Sequence, residues 1–196
     1  RLCNEVDANQ LPPLHGVPCT IKECFGVTGH VQSSGLLSRQ NVRATANATG
    51  VQRLRNAGAI ILGLTNLSEL CMWMESSNPV YGRTNNPYDP TRIVGGSSGG
   101  EGAIIGSGGS PLGLGSDIGG SIRMPAFFNG VFGHKPTGGL VPGTGQYPMA
   151  VNEACRYLTT GPLTRRAKDL MPLLSILAGP DGSDTGCQTF ALGDPA

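Results

Sequence analysis

The apolar positions of this chain change their spacing several times, and each change predicts an element. Val17 to Phe25 mixes apolar and polar side chains, Lys22 among them, and reads as a short strand entered from the turn-rich Leu11-Pro12-Pro13-Leu14-His15-Gly16. Thr45 to Ala57 places Val51, Leu54 and Ala57 on one helical face, with Gly58 as the stop. Ala59-Ile60-Ile61-Leu62-Gly63-Leu64 is a continuous apolar run, the pattern of a fully buried strand in a parallel sheet. Together these segments predict one strand-helix-strand unit.

A polar loop follows from Glu75 to Arg92, marked by the turn signals Asn85-Asn86-Pro87 and Asp89-Pro90. Glu101 to Gly109 reads as a helix of small residues and Leu112-Gly113-Leu114-Gly115 as a short buried strand. Ser121 to Phe128 reads as a helix start and Val131 to Lys135 as an extended return. Thr164 stands where it would cap an amphipathic helix whose apolar face is Ala167, Leu170, Met171, Leu174, Leu177 and Ala178. The alternation predicts an α/β sheet protein, with no internal repeat and no second domain.

Composition narrows the picture. With 196 residues the chain has the size of one domain, able to bury about 70% of the surface its unfolded form exposes. A net charge of +1 and 14% charged residues give no basic field for nucleic acid and no acidic tail. Cys3, Cys19, Cys24, Cys71, Cys155 and Cys187 form no CxxC pair and no Cys/His metal spacing, so they are expected to be mostly reduced and structural. The runs Ala59 to Leu64 and Leu170 to Ala178 fall short of the roughly 18 to 20 apolar residues of a membrane span. Arg1 at one end and the loop-like Gly193-Asp194-Pro195-Ala196 at the other read as cuts, so residues 1–196 are expected to be part of a longer catalytic domain.

The chemistry concentrates between Gly95 and Ala126, where 32 residues hold twelve glycines, six serines and three charged side chains. A glycine costs about 0.5 to 1 kcal/mol in a helix or strand, so this density implies a backbone that turns sharply or approaches a ligand closely. Serines among such turns are candidate nucleophiles or proton relays. The stretch contains neither GxGxxG nor GxxxxGK[ST], which leaves a nucleotide loop unsupported. Gly95-Gly96-Ser97-Ser98-Gly99 does satisfy GxSxG, the nucleophile elbow of α/β-hydrolases.

Taken whole, the stretch resembles the amidase signature, a glycine-serine run followed by Asp117-Ile118-Gly119-Gly120-Ser121-Ile122-Arg123-Met124-Pro125. His15-Gly16-Val17-Pro18-Cys19-Thr20-Ile21-Lys22-Glu23 is similar to the lysine-bearing strand of that family, and Gly133-His134-Lys135-Pro136-Thr137 to its sequel. The resemblance covers most of residues 11 to 180. Within the family, Glu69-Leu70-Cys71-Met72-Trp73, Glu75-Ser76-Ser77-Asn78 and Pro125-Ala126-Phe127-Phe128-Asn129-Gly130 look most like the type 2 fatty-acid amide hydrolase branch.

The resemblance implies the amidase-signature fold, a mixed, largely parallel twisted sheet with helices on both faces. It also implies a Ser-Ser-Lys mechanism with Ser121 as nucleophile, Ser97 as bridging serine held after Gly96 by a cis peptide bond, and Lys22 as base. A lysine serves as base only where its surroundings favour the uncharged amine; Val17, Ile21 and Phe25 offer apolar burial, and Glu23 should point to the opposite face. The amides of Ile118, Gly119, Gly120 and Ser121 would form an oxyanion hole, and losing one such donor typically costs about 3 kcal/mol. Asp117 and Arg123 would support the loop as an ion pair, Ser98 would hydrogen-bond within the relay, and Cys71 with its neighbours would border an acyl pocket.

The implied substrate is a linear carboxamide, a fatty-acid primary amide or N-acylethanolamine, with no metal or organic cofactor. Membrane association, through segments outside this chain, and a homodimer are further implications of the family. Three other readings stay open. One is the glutamine-hydrolysing component of the amidotransferases in the same family, against which Met149-Ala150-Val151-Asn152-Glu153 stands where a Ser-Leu-Asp-type stretch is expected. The second is an α/β-hydrolase esterase using Ser97 with His134, and the third a catalytically inactive fragment. Taken singly, Cys71, Met72, Trp73, Phe127 and Phe128 read as core, and His15, His30 and His134 as turn or core residues.

Overall fold

The computed structural model describes residue 7 and residues 10–193. The expectations placed on Cys3, Arg1 and the last three residues lie outside the described residues. Strand β1 (Pro18–Lys22) leads through α1 (Thr49–Asn56) to β2 (Ile60–Thr65), and the two strands pair in parallel as the predicted unit requires. Helix α1 stops where predicted because Gly58 takes φ +93°, and a side chain there would press on the His15 backbone. A small hairpin, β3 (Ser77–Asn78) and β4 (Gly82–Arg83), interrupts the expected polar loop. The glycine-rich stretch forms α2 (Gly99–Gly106), β5 (Leu112–Asp117) and α3 (Arg123–Phe128). Strands β6 (Phe132–Gly133) and β7 (Thr159–Thr164) and helix α4 (Leu170–Leu177) complete the described fold.

The five-stranded sheet has the order β2-β1-β5-β7-β6. β1 pairs in parallel with both β2 and β5, β7 runs antiparallel to β5, and β6 antiparallel to β7. Every strand but β7 therefore points the same way, and the sheet is mixed but largely parallel. Helices cover both faces. On one, α1 and α4 pack with Ile21, Val51, Leu54, Leu114, Leu173 and Leu177 in the main core; on the other, α2 and α3 pack with Ile105, Ile122, Ala126 and Leu163.

The alternation within β5 explains how its two faces differ. Leu112 and Leu114 point into the main core, whereas Gly113 and Gly115 face α2 and α3 and let them approach the sheet closely. At Gly113 an added Cβ would overlap Oε2 of Glu101, the buried carboxyl of α2. That carboxyl accepts hydrogen bonds from Thr20 Oγ1 of β1 and Thr65 Oγ1 of β2, each at 2.7 Å, and so ties α2 to two strands. Burial pushes the Glu101 carboxyl up to about 7, against the two threonine hydroxyls that pull it down.

Several expectations need correction. β2 is an edge strand rather than a fully buried one, with Ile60 and Leu62 53% and 55% exposed, because the sheet ends at β2 and leaves one side of it uncovered. Thr164 closes β7 instead of capping a helix; its hydroxyl donates to the Arg166 carbonyl at 2.8 Å, and α4 begins only at Leu170. Leu173 replaces Ala167 on the buried face of α4. β7 itself, Thr159-Thr160-Gly161-Pro162-Leu163-Thr164, goes against its local signals, since its glycine and proline read as breakers and its partner β5 is distant along the chain. Met72, Trp73, Phe127 and Phe128 are exposed rather than core.

Replacing Gly113 by Ala should force Glu101 from its threonine partners and destabilise the protein by about 1 to 3 kcal/mol. Gly63→Ala, on β2 with open space around it, should stay within about 0.5 kcal/mol. Urea midpoints of the two variants beside the wild type check both expectations.

Candidate active site

β1 ends at Lys22 and β5 at Ser116 and Asp117, and their parallel register, Thr20 opposite Gly113 and Ile21 opposite Leu114, brings those ends side by side. The carboxyl edge of parallel strands is where α/β folds gather their chemistry. Lys22 is completely buried and its Nζ donates to Ser97 Oγ at 2.6 Å and to Ser116 Oγ at 3.0 Å. Glu23 turns away, as alternation predicts. Its carboxylate accepts from the Ser33 amide and hydroxyl and the Ser34 amide, each at 2.7 Å, and from the Tyr81 hydroxyl at 2.8 Å.

Ser97 follows a cis bond from Gly96, just before α2. Ser76 braces this bend, accepting from the Gly99 amide at 2.9 Å and donating to the Gly95 carbonyl at 3.0 Å. An added Cβ at Gly96 would collide with the Trp73 carbonyl and Ser68, so the bend needs glycine on steric grounds. Ser98 joins the two halves of the site: its amide donates to the Ser121 carbonyl at 3.0 Å and its hydroxyl to the Ser116 carbonyl at 3.3 Å. Its hydroxyl therefore meets backbone rather than the Lys22 and Ser97 side chains.

The loop from Ile118 to Ile122 carries Ser121, and Asp117 holds it in shape. One carboxylate oxygen accepts from the Gly120 amide at 2.7 Å, the other from the Ile122 amide at 2.9 Å and the Arg123 amide at 3.2 Å. Arg123 adds a two-point pairing, Nε and Nη2 each at 3.0 Å. Burial pushes the Asp117 carboxyl up, but the Arg123 guanidinium and the three amides outweigh it and hold it at about 2. The Gly120 amide is thus engaged by Asp117, which leaves those of Ile118, Gly119 and Ser121 as the candidate oxyanion donors.

Ser97, Ser116, Ser121, Ile118 and Cys71 line one cavity of about 150 Å³, whose walls also include Leu70 and Met149. A second cavity of about 390 Å³ shares Gln146, Met149, Ala150 and Leu158 with it, so the serines sit at the end of a larger hollow. Among the described residues, no hydrogen bond joins Ser97 Oγ to Ser121 Oγ. The arrangement supplies a buried amine, a hydroxyl bonded to it and a second hydroxyl on the same cavity wall. His134 is not part of it: the ring is exposed just past β6, while Ser97 is fully buried against Lys22, which removes the Ser97–His134 reading.

Two contributors have no signal strong enough to single them out in the sequence. Ser116 reads as an ordinary strand residue, although its place directly before Asp117, at the end of a strand beside β1, is a usable cue. Glu101 reads as a helix start, and only packing shows its carboxyl buried against Thr20 and Thr65.

Comparison with known proteins fits this geometry. The family described as Amidase matches residues 2–194. Fatty-acid amide hydrolase 2-A of Danio rerio is 59% identical over 169 residues, 86% of this chain and 32% of that protein. A glutamyl-tRNA(Gln) amidotransferase component from Methanosarcina acetivorans is 42% identical over 173 residues, 88% of this chain and 36% of that protein. Among solved structures, native peptide amidase from Stenotrophomonas maltophilia superposes with a TM-score of 0.87 at 34% identity, over 97% of this chain and 39% of that one. The chain spans about a third of the length of the curated relatives it matches.

Asp117 titrates lower in the folded chain than in the unfolded one, so its contribution to stability is complete above its ordinary value of 3.8 and is lost as pH falls toward about 2. Asp117→Asn should lower the urea midpoint at pH 7 and flatten its fall between about pH 4 and pH 2 relative to the wild type.

Proposed function

The chain belongs to the amidase family, and from that premise we propose that it carries the Ser-Ser-Lys centre of an amidase that cleaves linear carboxamides through an acyl-enzyme on Ser121. The observation that carries this reading is the buried 2.6 Å hydrogen bond from Lys22 to Ser97 beside a cavity that Ser121 also lines. Ser121 Oγ attacks the amide carbonyl carbon. Its proton passes to Ser97, whose hydroxyl both accepts and donates, while Ser97 gives its own proton to Lys22 Nζ. The carbonyl electrons move to oxygen, and the amides of Ile118, Gly119 and Ser121 are the donors nearest in sequence to receive the negative charge.

Collapse of that intermediate breaks the carbon–nitrogen bond, and the proton on Lys22 returns through Ser97 to the leaving amine. Water then attacks the acyl carbon and gives its proton through Ser97 to Lys22; the carbon–Ser121 oxygen bond breaks, the proton returns through Ser97 to Ser121 Oγ, and the carboxylic acid leaves. Attack by Ser121 requires its Oγ to come within hydrogen-bond distance of Ser97 Oγ, as hydrogen bonds of catalytic groups commonly tighten only when substrate is present. Asp117 and Arg123 support the loop without taking part in the proton transfers.

For the substrate, the apolar walls at Leu70, Cys71 and Met149 and the 59% identity to a protein named fatty-acid amide hydrolase support a long apolar acyl group. A lipid substrate brings a membrane surface with it. Among the described residues no helix is long and apolar enough to cross a membrane. The amidotransferase relative makes glutamine the competing substrate, but its lower identity and the apolar Met149 on the cavity wall favour the lipid.

The test is fluorophosphonate labelling followed by peptide mapping. The label should fall on Ser121, disappear in Ser121→Ala and form about 10² to 10⁴ times more slowly in Lys22→Ala. Label on Ser97 that ignores Lys22, or no label on folded protein, would refute the mechanism. Release of ammonia from a long-chain primary amide but not from glutamine should separate the two substrate readings.

A further inference from the structure

Among the described residues, the Ser121 cavity has one polar side chain besides its serines and the Cys71 thiol, that of Gln146, and the mechanism above does not use it. Gln146 also lines the larger cavity, as does Thr160. Both are buried, at 6% and 1% exposed. Among the described residues, Gln146 Nε2 and Thr160 Oγ1 have no hydrogen-bond partner. The other buried side-chain atoms in that position, Arg39 Nε and Asn129 Oδ1, line neither cavity. Burying a polar atom is costly unless a partner meets it, so two unmatched groups on the walls of one cavity point to a ligand that matches them.

The fold holds both groups beside the relay. Gln146 is carried by a strap that runs along the chain just past Lys22. The Gly26 amide donates to the Gly145 carbonyl at 3.0 Å and the Tyr147 amide to the Cys24 carbonyl at 2.8 Å. Gln32 Nε2 clamps the same strap, donating to the Cys24 carbonyl at 2.8 Å and the Gly145 carbonyl at 2.9 Å. Thr160 stands on β7 directly opposite Ser116, the second hydroxyl on Lys22. Directly opposed residues of an antiparallel pair share a face of the sheet, so Thr160 lies one strand beyond Ser116 on the side where the larger cavity opens.

We propose that Gln146 and Thr160 are specificity-determining residues that bind the leaving side of the substrate, and that this substrate is a fatty amide of an amine that carries hydroxyls. The proposal rests on the amidase reading above, since it assigns the larger cavity to the amine of an amide whose carbonyl lies at Ser121. The acyl group then keeps to the smaller cavity, where Leu70, Ile118 and Pro148 are apolar. A hydroxyl oxygen accepts from Gln146 Nε2 and donates its hydrogen to Thr160 Oγ1. Turning the Gln146 amide end for end puts an acceptor in place of the donor, and a hydroxyl matches that as well, whereas a carbonyl does not. A carboxylate on the amine is disfavoured by charge, because Asp184 lines the same cavity, its own oxygens accepting from the Gly143 and Gly186 amides at 2.9 and 3.0 Å. At about 390 Å³ the larger cavity has room for an amine of several carbons.

The test measures binding to the Ser121→Ala chain, which carries out no turnover on Ser121, by titration calorimetry. The probes are two octanoyl amides of the same shape, the N-(2,3-dihydroxypropyl) and the N-(2-methylbutyl) amide, in which methyls replace the hydroxyls. The dihydroxypropyl amide should bind about 20-fold tighter. Gln146→Met and Thr160→Val, which keep the shape and remove the polar atom, should each cut that advantage about five-fold. The two probes are compared within each variant, so a partly unfolded sample lowers both affinities and preserves their ratio, and if one variant fails to fold the other carries the result.

Equal affinities in the parent chain, as expected if the pair bonds only to solvent, would overturn the proposal. So would an advantage undiminished in either folded variant, or no binding of either amide. Fluorophosphonate labelling of Ser121 in the unaltered chain tests the amidase reading separately. Selective binding without label refutes only that reading, and label without selective binding refutes only this proposal.

Discussion

The fold depends on a lysine that has no exposed surface. Burying an amine is costly unless its hydrogens find acceptors, and Lys22 finds two, on Ser97 and Ser116. Ser116 comes from β5, beside β1 in the sheet, while Ser97 comes from the bend before α2. The parallel register of β1 with β5, the approach of α2 to the sheet and the cis bend at Gly96–Ser97 must all be in place for that amine to be satisfied. The same three features set the distance between the groups that would exchange a proton.

Glycine makes that geometry sterically accessible. On β5, Gly113 and Gly115 leave the space that Glu101, Ser98 and Ile122 occupy, and α2 answers with small residues of its own. The polar groups trapped by so close an approach are matched locally. Glu101 takes the hydroxyls of Thr20 and Thr65, Ser76 takes the Gly99 amide, and Asp117 takes three amides and a guanidinium. The site is closely hydrogen-bonded around Lys22 and open where Ser121, Ile118 and Cys71 line the cavity.

Much of this is legible in the chain. The strand with Lys22, the helix ending at Gly58 and the strand with Leu112 and Leu114 follow from apolar spacing. The signature from Asp117 to Pro125 points to Ser121, and the glycine-serine run to Ser97. What escapes such a reading is non-local. β7 exists because β5 offers it a partner, and Thr164 belongs to that strand although its local sequence fits a helix cap. The exposure of Ile60 and Leu62 follows from the place of β2 at the sheet edge, which no window of its own residues contains.

Periodicity, turn residues and signature spacing are local properties, so the order of residues alone establishes the family, the kinds of side chain available for the chemistry and most of the elements that carry them. Which groups meet is a matter of packing. Ser116 rather than Ser98 is the second hydroxyl on Lys22, the Gly120 amide belongs to Asp117, and Cys24 rests against Ser116. Most of these contacts join side chains aimed by separate strands and loops. Hydrogen bonds reach only about 3 Å, so a donor finds its acceptor through the folded arrangement of those elements and not through order along the chain.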